Sequence, residues 1–268
     1  EPARVPEATC ARPTLTIGVL AKNEAHRIEA CLRSAAFADQ LLVIDSGSTD
    51  DTVARAQAAG ATVVAYPDWQ GFGVQRTRLL AHATGDYLFF LDADETITPA
   101  LQAELQAVVA SGALGVWCVR WRLVAFGQEL KYFRSQAKPE RLFRRSTLLG
   151  YEGVVHEEAK LSEPGLPRHV FRSPLLHHSR ETVRSSLVKL TQYTMLGAAK
   201  RAQRGKRGGV LRGLASGLSM FVRLYVLHLG FLCGAAGFLY CVFVSLESFF
   251  RYAAMRFDRD QLTQTEGR

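Results

Sequence analysis

Short apolar runs alternate with stretches of helical spacing through the first 110 residues. Residues 15–20, 41–44, 62–65 and 87–91 are largely apolar, rich in Leu, Val, Ile and Phe, and read as buried strands. Between and after them, residues 24–36, 50–59, 74–83 and 99–110 carry apolar side chains at helical spacing, as in Ile28, Cys31, Leu32 and Ala35. Gly60 and Gly85 close two of these helices, and Pro99 opens the last. Strand and helix in alternation predict a mostly parallel α/β sheet with right-handed crossovers and flanking helices.

After Gly115 the pattern changes. Residues 116–126 alternate and are rich in Val and Trp, and Gly127-Gln-Glu reads as a turn. Residues 141–145 predict a strand with basic outward faces, and Pro139, Pro164, Pro167 and Pro174 mark loops in a mixed sheet. From Glu181 the spacing is helical to about Arg204, followed by a basic, Gly-rich joint over 205–209. Leu211, Leu214, Leu218, Phe221, Val222 and Tyr225 then form an apolar helical stripe, with Arg212, Ser216, Ser219 and Arg223 opposite, a pattern suited to a membrane interface. Residues 224–246 follow with His228 as their only ionisable group, long enough to cross ~30 Å of hydrocarbon. Gly230, Gly234 and Gly237 would let the run break into a shallow hairpin or pack against another helix, including that of a second copy. The alternative is a buried helix pair of a soluble protein.

The chain therefore divides into a leader (1–13), an α/β domain (14–180, with halves 14–112 and 113–180), a basic connector (181–209), membrane-associating helices (210–257) and a tail (258–268). The leader shows no apolar signal-peptide core. Charge sharpens this division. The net charge is +8, yet between Glu181 and Glu247 there are nine basic residues and no acid, so the remainder sums to −1. Basic charge beside an apolar run points to an anionic membrane surface, and the absence of any zinc knuckle, basic zipper or RNA-binding motif argues against nucleic acid. Five cysteines without metal spacing read as reduced, mostly buried thiols of a cytosolic setting.

Candidate chemistry collects at the ends of the predicted strands. Tyr87 to Leu91 delivers Asp92 and Asp94, which alternate along an extended chain and so share a face. Two adjacent carboxylates repel unless a cation lies between them, and Mg2+ or Mn2+ with a diphosphate would suit that need. The same segment also fits a strand leading into an acidic helix start, capped by Asp94 or Thr96. Asp45 and Ser46 end the second strand. There a carboxylate can accept an N–H of a nucleobase, or Ser48 and Asp51 can form a capping box. Lys22, Asn23 and Glu24 end the first strand, so three acidic features share the carboxyl edge, where α/β sheets bind ligands.

In order and spacing, Val19-Leu-Ala-Lys-Asn-Glu24, Val43-Ile-Asp45-Ser-Gly-Ser-Thr-Asp50, Asp68-Trp-Gln-Gly-Phe-Gly-Val-Gln75-Arg76 and Gly85-Asp-Tyr-Leu-Phe-Phe-Leu-Asp-Ala-Asp94 resemble the family-2 glycosyltransferases of GT-A fold. Arg141-Leu-Phe-Arg-Arg, Gly153-Val-Val-His156-Glu157, Leu176-His177 and the tail ending Phe250-Arg-Tyr extend the resemblance to the lipopolysaccharide-core branch, often described as β-1,4-glucosyltransferases. The resemblance implies a Rossmann-like GT-A sheet, a nucleotide-sugar donor (UDP-glucose foremost), a lipid-linked acceptor, a divalent metal, inversion, and the cytoplasmic face of the bacterial inner membrane. The half 14–112 would bind the nucleotide-sugar and 113–180 the acceptor. Asp45 would hold the base, with Glu24, Lys22, Asn23 and Ser46 beside the nucleoside. Asp94 would bind metal, with Asp92 at the metal or ribose and His177 as a candidate third ligand. Arg141 and Arg144 would be diphosphate candidates, and Arg76 a donor-binding group. Glu157 would be the base, Glu158 its alternative, and His156 an orienting or phosphate-binding group. Thr77 departs from the Asn expected of the branch.

Other classes fit less well. Asp92-Ala-Asp94-Glu-Thr96 matches the first motif of haloacid-dehalogenase phosphatases, but about three strands precede it. A sugar nucleotidyltransferase would carry a Gly-rich loop where Ala21-Lys-Asn-Glu stands, and no Gly-x-Gly-x-x-Gly follows a strand. A polyprenyl-phosphate hexosyltransferase is the nearer enzymatic alternative, and a membrane-attached nucleotide-binding scaffold the non-enzymatic one.

Overall fold

The structure is a computed structural model that describes residues 12–152 and 158–262. It contains two compact units, the first built up to Trp121 and from Ala137–Leu176, the second from Arg122–Gln136 and from His177 onward. The sequence division at residue 180 thus differs from the spatial one, because the chain leaves the first unit inside two long strands, β6 (Val116–Ala125) and β11 (Arg168–Arg180).

In the first unit β1 (Leu15–Ala21), β2 (Gln40–Asp45), β3 (Thr62–Ala65) and β4 (Tyr87–Asp92) are parallel, in the order β3-β2-β1-β4. The crossovers are α1 (Ile28–Ser34), α2 (Thr52–Ala58) and α3 (Phe72–His82), as the alternation predicted. β8 (Glu140–Arg144) joins β4 antiparallel, and β6 joins β8, making the sheet mixed. The run from Tyr87 to Leu91 is buried on both faces, as expected where helices cover both sides of a sheet. Tyr87, Phe89 and Leu91 pack with Ile28, Leu32, Leu101 and Leu105, whereas Leu88 and Phe90 pack with Leu79 and Phe143.

α4 (Pro99–Ser111) is capped by Thr98, whose hydroxyl accepts the Leu101 N–H at 3.2 Å, rather than by Asp94 or Thr96. The displacement follows from a short strand, β5 (Glu95–Ile97), which the sequence pattern did not reveal. Gly85 permits the close approach of β4 to β1. A Cβ there would lie 2.6 Å from Thr16 N and 2.9 Å from Leu15 C, both backbone atoms. Gly85→Ala is expected to cost about 1–3 kcal/mol by overpacking, seen as a lower denaturant midpoint at unchanged m-value.

The second unit holds α5 (Val183–Gln203), α6 (Val210–Val222), α7 (Gly234–Phe257) and the short α8 (Arg259–Leu262). α5 starts with a Thr182–Ser185 capping box. α6 and α7 run antiparallel, Gly213 against Phe249 and Gly217 against Ser245, with the Ser216 and Ser248 hydroxyls 2.7 Å apart. Residues 224–246 are therefore not one straight helix. A π-helical turn at Arg223–Leu227, Leu229 at φ +60° and Gly234 at φ +60° break the run and fold it back, the hairpin form of the prediction. Arg134 clamps the break, donating its N–H to His228 O at 3.0 Å while its carbonyl lies 2.6 Å from the imidazole Nδ1. Val210–Leu227 and Gly230–Phe257 are both long and apolar enough to cross a membrane by length and composition. Among the described residues Cys31, Cys118, Cys233 and Cys241 are free thiols.

Candidate active site

Parallel pairing sets which residues meet at the carboxyl edge. Ala21 lies opposite Asp45, and Leu20 opposite Asp92, so Asp45 and Asp92 flank β1 at nearly the same height. Two strand spacings put their backbones about 10 Å apart. Lys22, Asn23 and Glu24 emerge between them from β1.

The loops after β1 and β2 are laced together. Asn23, in the left-handed region at φ +56°, donates its N–H to Ser48 Oγ at 2.9 Å and accepts the Thr49 N–H on Oδ1 at 2.8 Å. Glu24 donates its N–H to Thr52 Oγ1 at 2.7 Å, and its carboxylate pairs with Arg27. Asp50 accepts from Ala25 N and from the Thr52 hydroxyl, which holds its carboxyl below the usual range. Ser48 is thus tied to Asn23, and the expected Ser48–Asp51 capping box does not form. Lys22 remains exposed.

Asp45 is 4% exposed and accepts the Gly47 and Ser48 N–H groups, each at 3.1 Å, in a turn that Gly47 allows at φ +85°. Ser46 is buried, and its hydroxyl accepts from Gln75 Nε2 at 3.0 Å; the same amide reaches Tyr66 O at 3.1 Å. Gln75 locks α3 onto the end of β2, a role the sequence reading missed. Its signal is a polar side chain on the apolar face of α3, one turn before Leu79.

Asp92 and Asp94 do not share the face of an extended strand, because β4 ends at Asp92 and Ala93-Asp94 form a tight turn into β5. Nor does Asp92 need a metal to offset its charge: Arg141 pairs with it directly. Arg141 is 1% exposed and also binds Glu95 Oε1 at 2.6 Å. Glu95 is fully buried, accepts the Trp121 indole N–H at 2.7 Å and takes the Asp92 N–H on its other oxygen at 2.9 Å. Burial pushes the Glu95 carboxyl up to about 8, with Arg141 pulling against it. Burial also works against the Arg141 charge, but Asp92 and Glu95 outweigh it and raise its pKa. Arg141 is therefore a buried brace and not the outward-facing phosphate ligand expected of it.

Arg76, on α3, reaches the carboxyl edge. Its guanidinium lies 3.8 Å from Asp92 Oδ1 and 5.5 Å from the Tyr151 ring centre. Arg144, by contrast, pairs with Tyr87 at the amino end of β4, about 17 Å along the strand from Asp92. Its guanidinium donates to Gly112 O at 3.0 Å, which removes it from the site.

β9 (Leu148–Glu152) and β10 (Glu158–Leu161) form an antiparallel pair in which Glu158 faces Glu152. Thr77 on α3 anchors this pair by accepting the Tyr151 N–H at 3.1 Å, so the departure at that position serves packing. Glu158 is exposed at the start of β10; Glu157 and His156 lie outside the described residues. Asp94 is half-buried, and a hard carboxylate oxygen there suits a divalent cation completed by phosphate oxygens. Among the described residues no group of three or more His, Cys, Asp or Glu side chains is gathered to hold a metal. His177 lies on β11.

The family model described as glycosyl transferase family 2 matches residues 16–157, more than half of the chain. The chain belongs to that family. The lipopolysaccharide core biosynthesis glycosyltransferase LpsC of Rhizobium meliloti is 27% identical over 84% of this chain and 85% of its own. An uncharacterized glycosyltransferase of Rickettsia felis is 24% identical over 89% of this chain and 88% of its own. Among solved structures, glucosyl-3-phosphoglycerate synthase of Mycobacterium tuberculosis, in complex with Mn2+, UDP and glucosyl-3-phosphoglycerate, is 26% identical with a TM-score of 0.40. That match covers 52% of this chain and 59% of the synthase, under two thirds of its length. For this family-2 glycosyltransferase the sheet is the GT-A-like one expected, and the phosphatase reading falls away: Asp92 sits on the fourth strand, tied to Arg141.

Proposed function

We propose that this glycosyltransferase is metal-dependent and inverting, and moves a hexose, glucose from UDP-glucose foremost, to a lipid-linked acceptor. The favoured acceptor is the lipopolysaccharide inner core, reached at the cytoplasmic face of the bacterial inner membrane. The convergence of Asp45, Arg76, Asp92 and Asp94 at one sheet edge carries the reading of a nucleotide-sugar site. Asp45 would accept a base N–H in its buried turn, Arg76 would face the diphosphate, and Asp94 would hold a divalent cation, which would supply Lewis-acid stabilisation of the leaving nucleoside diphosphate.

Glu157 is the base of this reading, with Glu158 the alternative and His156 orienting it. It takes the proton of the acceptor hydroxyl as that oxygen attacks the anomeric carbon from the side opposite the diphosphate. The Tyr151 anchor on α3 supports such a base near the edge, since it holds the stem of the β9–β10 pair beside Arg76. Association with the membrane rests on α6, which exposes Leu211, Leu214, Leu218 and Val222 along one stripe.

Calorimetric titration with UDP-glucose, GDP-mannose and an ADP-heptose, with and without Mn2+, tests the donor site. Metal-dependent binding of one donor names the sugar class; an intact fold that binds none contradicts the reading. Glu157→Gln is expected to keep donor affinity while transfer falls by about 10²–10⁴-fold. Transfer at the wild-type rate would remove Glu157 from the base role, and a loss on Glu158→Gln instead would move the role there.

A further inference from the structure

The joint between α5 and α6, together with the end of α7, encloses a cavity of about 530 Å3 that the transfer reaction does not use. Among the described residues its charged lining is cationic: Lys206 and Arg207 from the joint, Arg256 from α7 and Arg259 from α8. Among the described residues no Asp or Glu lines it and none of these four cations is in an ion pair.

Like charges would separate if the joint were loose, but it is pinned. A Cβ on Gly208 would lie 2.6 Å from Tyr252 O and 2.8 Å from Arg256 N, so only glycine lets the joint rest on α7. Gly209 then donates its N–H to Tyr252 O at 2.9 Å. α6 begins at this glycine without a side-chain cap, adding the positive end of a helix to the same region. Among the described residues the fold thus gathers cations and lines the cavity with no anion. Apolar surface adjoins the cluster: Phe257 beside Arg256 is 68% exposed, and Leu211, next after Val210, is 82% exposed. A cationic hollow bordered by bare apolar side chains is complementary to a phosphate carried on a hydrocarbon anchor.

We propose that this cavity binds the phosphate of an anionic lipid headgroup and so sets where the helical unit docks on the membrane. The inference rests on the membrane reading above but demands more than diffuse attraction. The test compares Arg256→Gln/Arg259→Gln with Arg184→Gln/Arg223→Gln, which removes equal charge from the same unit. Partition is measured into phosphatidylcholine vesicles with and without phosphatidylglycerol, after circular dichroism has confirmed equal folding. The cavity pair is expected to lose at least about tenfold in partition to the anionic vesicles and the control pair less than about threefold; Arg256→Lys/Arg259→Lys should restore binding. Equal losses from both pairs would overturn the proposal in favour of a diffuse basic face. Inorganic phosphate titrated without vesicles separates the two sources: saturable binding that the cavity pair abolishes, with vesicle partition unchanged, assigns a free-phosphate site and overturns the lipid. Wild-type protein that binds both vesicle types equally defeats the cavity alone, whereas protein that binds neither defeats the membrane reading itself.

Discussion

Arg141→Met should destabilise the first unit by about 3–5 kcal/mol, the usual cost of stripping one partner from a buried ion pair. Arg141 is enclosed with Asp92 and Glu95, and its loss takes from both the cation they share. Glu95 keeps its bond to the Trp121 indole, but Asp92 loses its Arg141 partner at the edge where the donor would lie. Transfer should therefore fall more than stability alone explains. Arg141→Met/Glu95→Leu separates the two effects. Removing both charges should recover much of the stability, since apolar packing often replaces a buried pair at little cost, while activity stays low because Asp92 still lacks Arg141. Urea melts and donor titrations on the two variants check this. A double variant no more stable than the single one would mean that the brace is not the source of the loss.

Asp94→Asn should have the opposite profile. Asp94 lies half-buried in the tight turn after β4, outside the buried Arg141 brace, so the isosteric change should cost less stability than Arg141→Met. Donor binding should lose its dependence on Mn2+, and kcat/KM should fall by about 10³-fold or more. Asp92→Asn offers the contrast, since it also deprives Arg141 of a partner and should lower stability. Retained Mn2+ dependence in Asp94→Asn would transfer the ligand role to Asp92.

The alternation of apolar runs and helical spacing made the parallel half legible, because burial on both faces leaves almost no polar residue in β1 and β4. The carboxyl edge was legible for the same reason: strand ends in a parallel sheet are placed by register, and register follows the apolar runs. Depth was not legible. Arg141-Leu-Phe-Arg-Arg predicted basic outward faces, yet Arg141 is among the most buried side chains, since its partner Glu95 comes from β5, a strand too short to show a period. Arg144 sits three residues along the same strand, but β8 runs antiparallel to β4 and carries it to the far edge. The direction of β8 is set by contacts distant in sequence. The break at residues 223–234 was signalled by its glycines, but its π-helical turn and the Arg134 clamp depend on a segment some ninety residues earlier.

The lacing of the β1 and β2 loops bears on how a ligand meets this edge. Asn23, Ser48, Thr49, Asp50 and Thr52 exchange side-chain to backbone bonds across two loops that would otherwise move independently. The conformational entropy of both loops is given up during folding, before any ligand arrives. A nucleotide entering there would meet a rigid floor and forfeit little affinity to ordering it. The neighbouring β9–β10 pair, held to α3 through the Thr77 bond to the Tyr151 N–H and the Arg76 contact with the Tyr151 ring, can vary in sequence while that floor stays as it is.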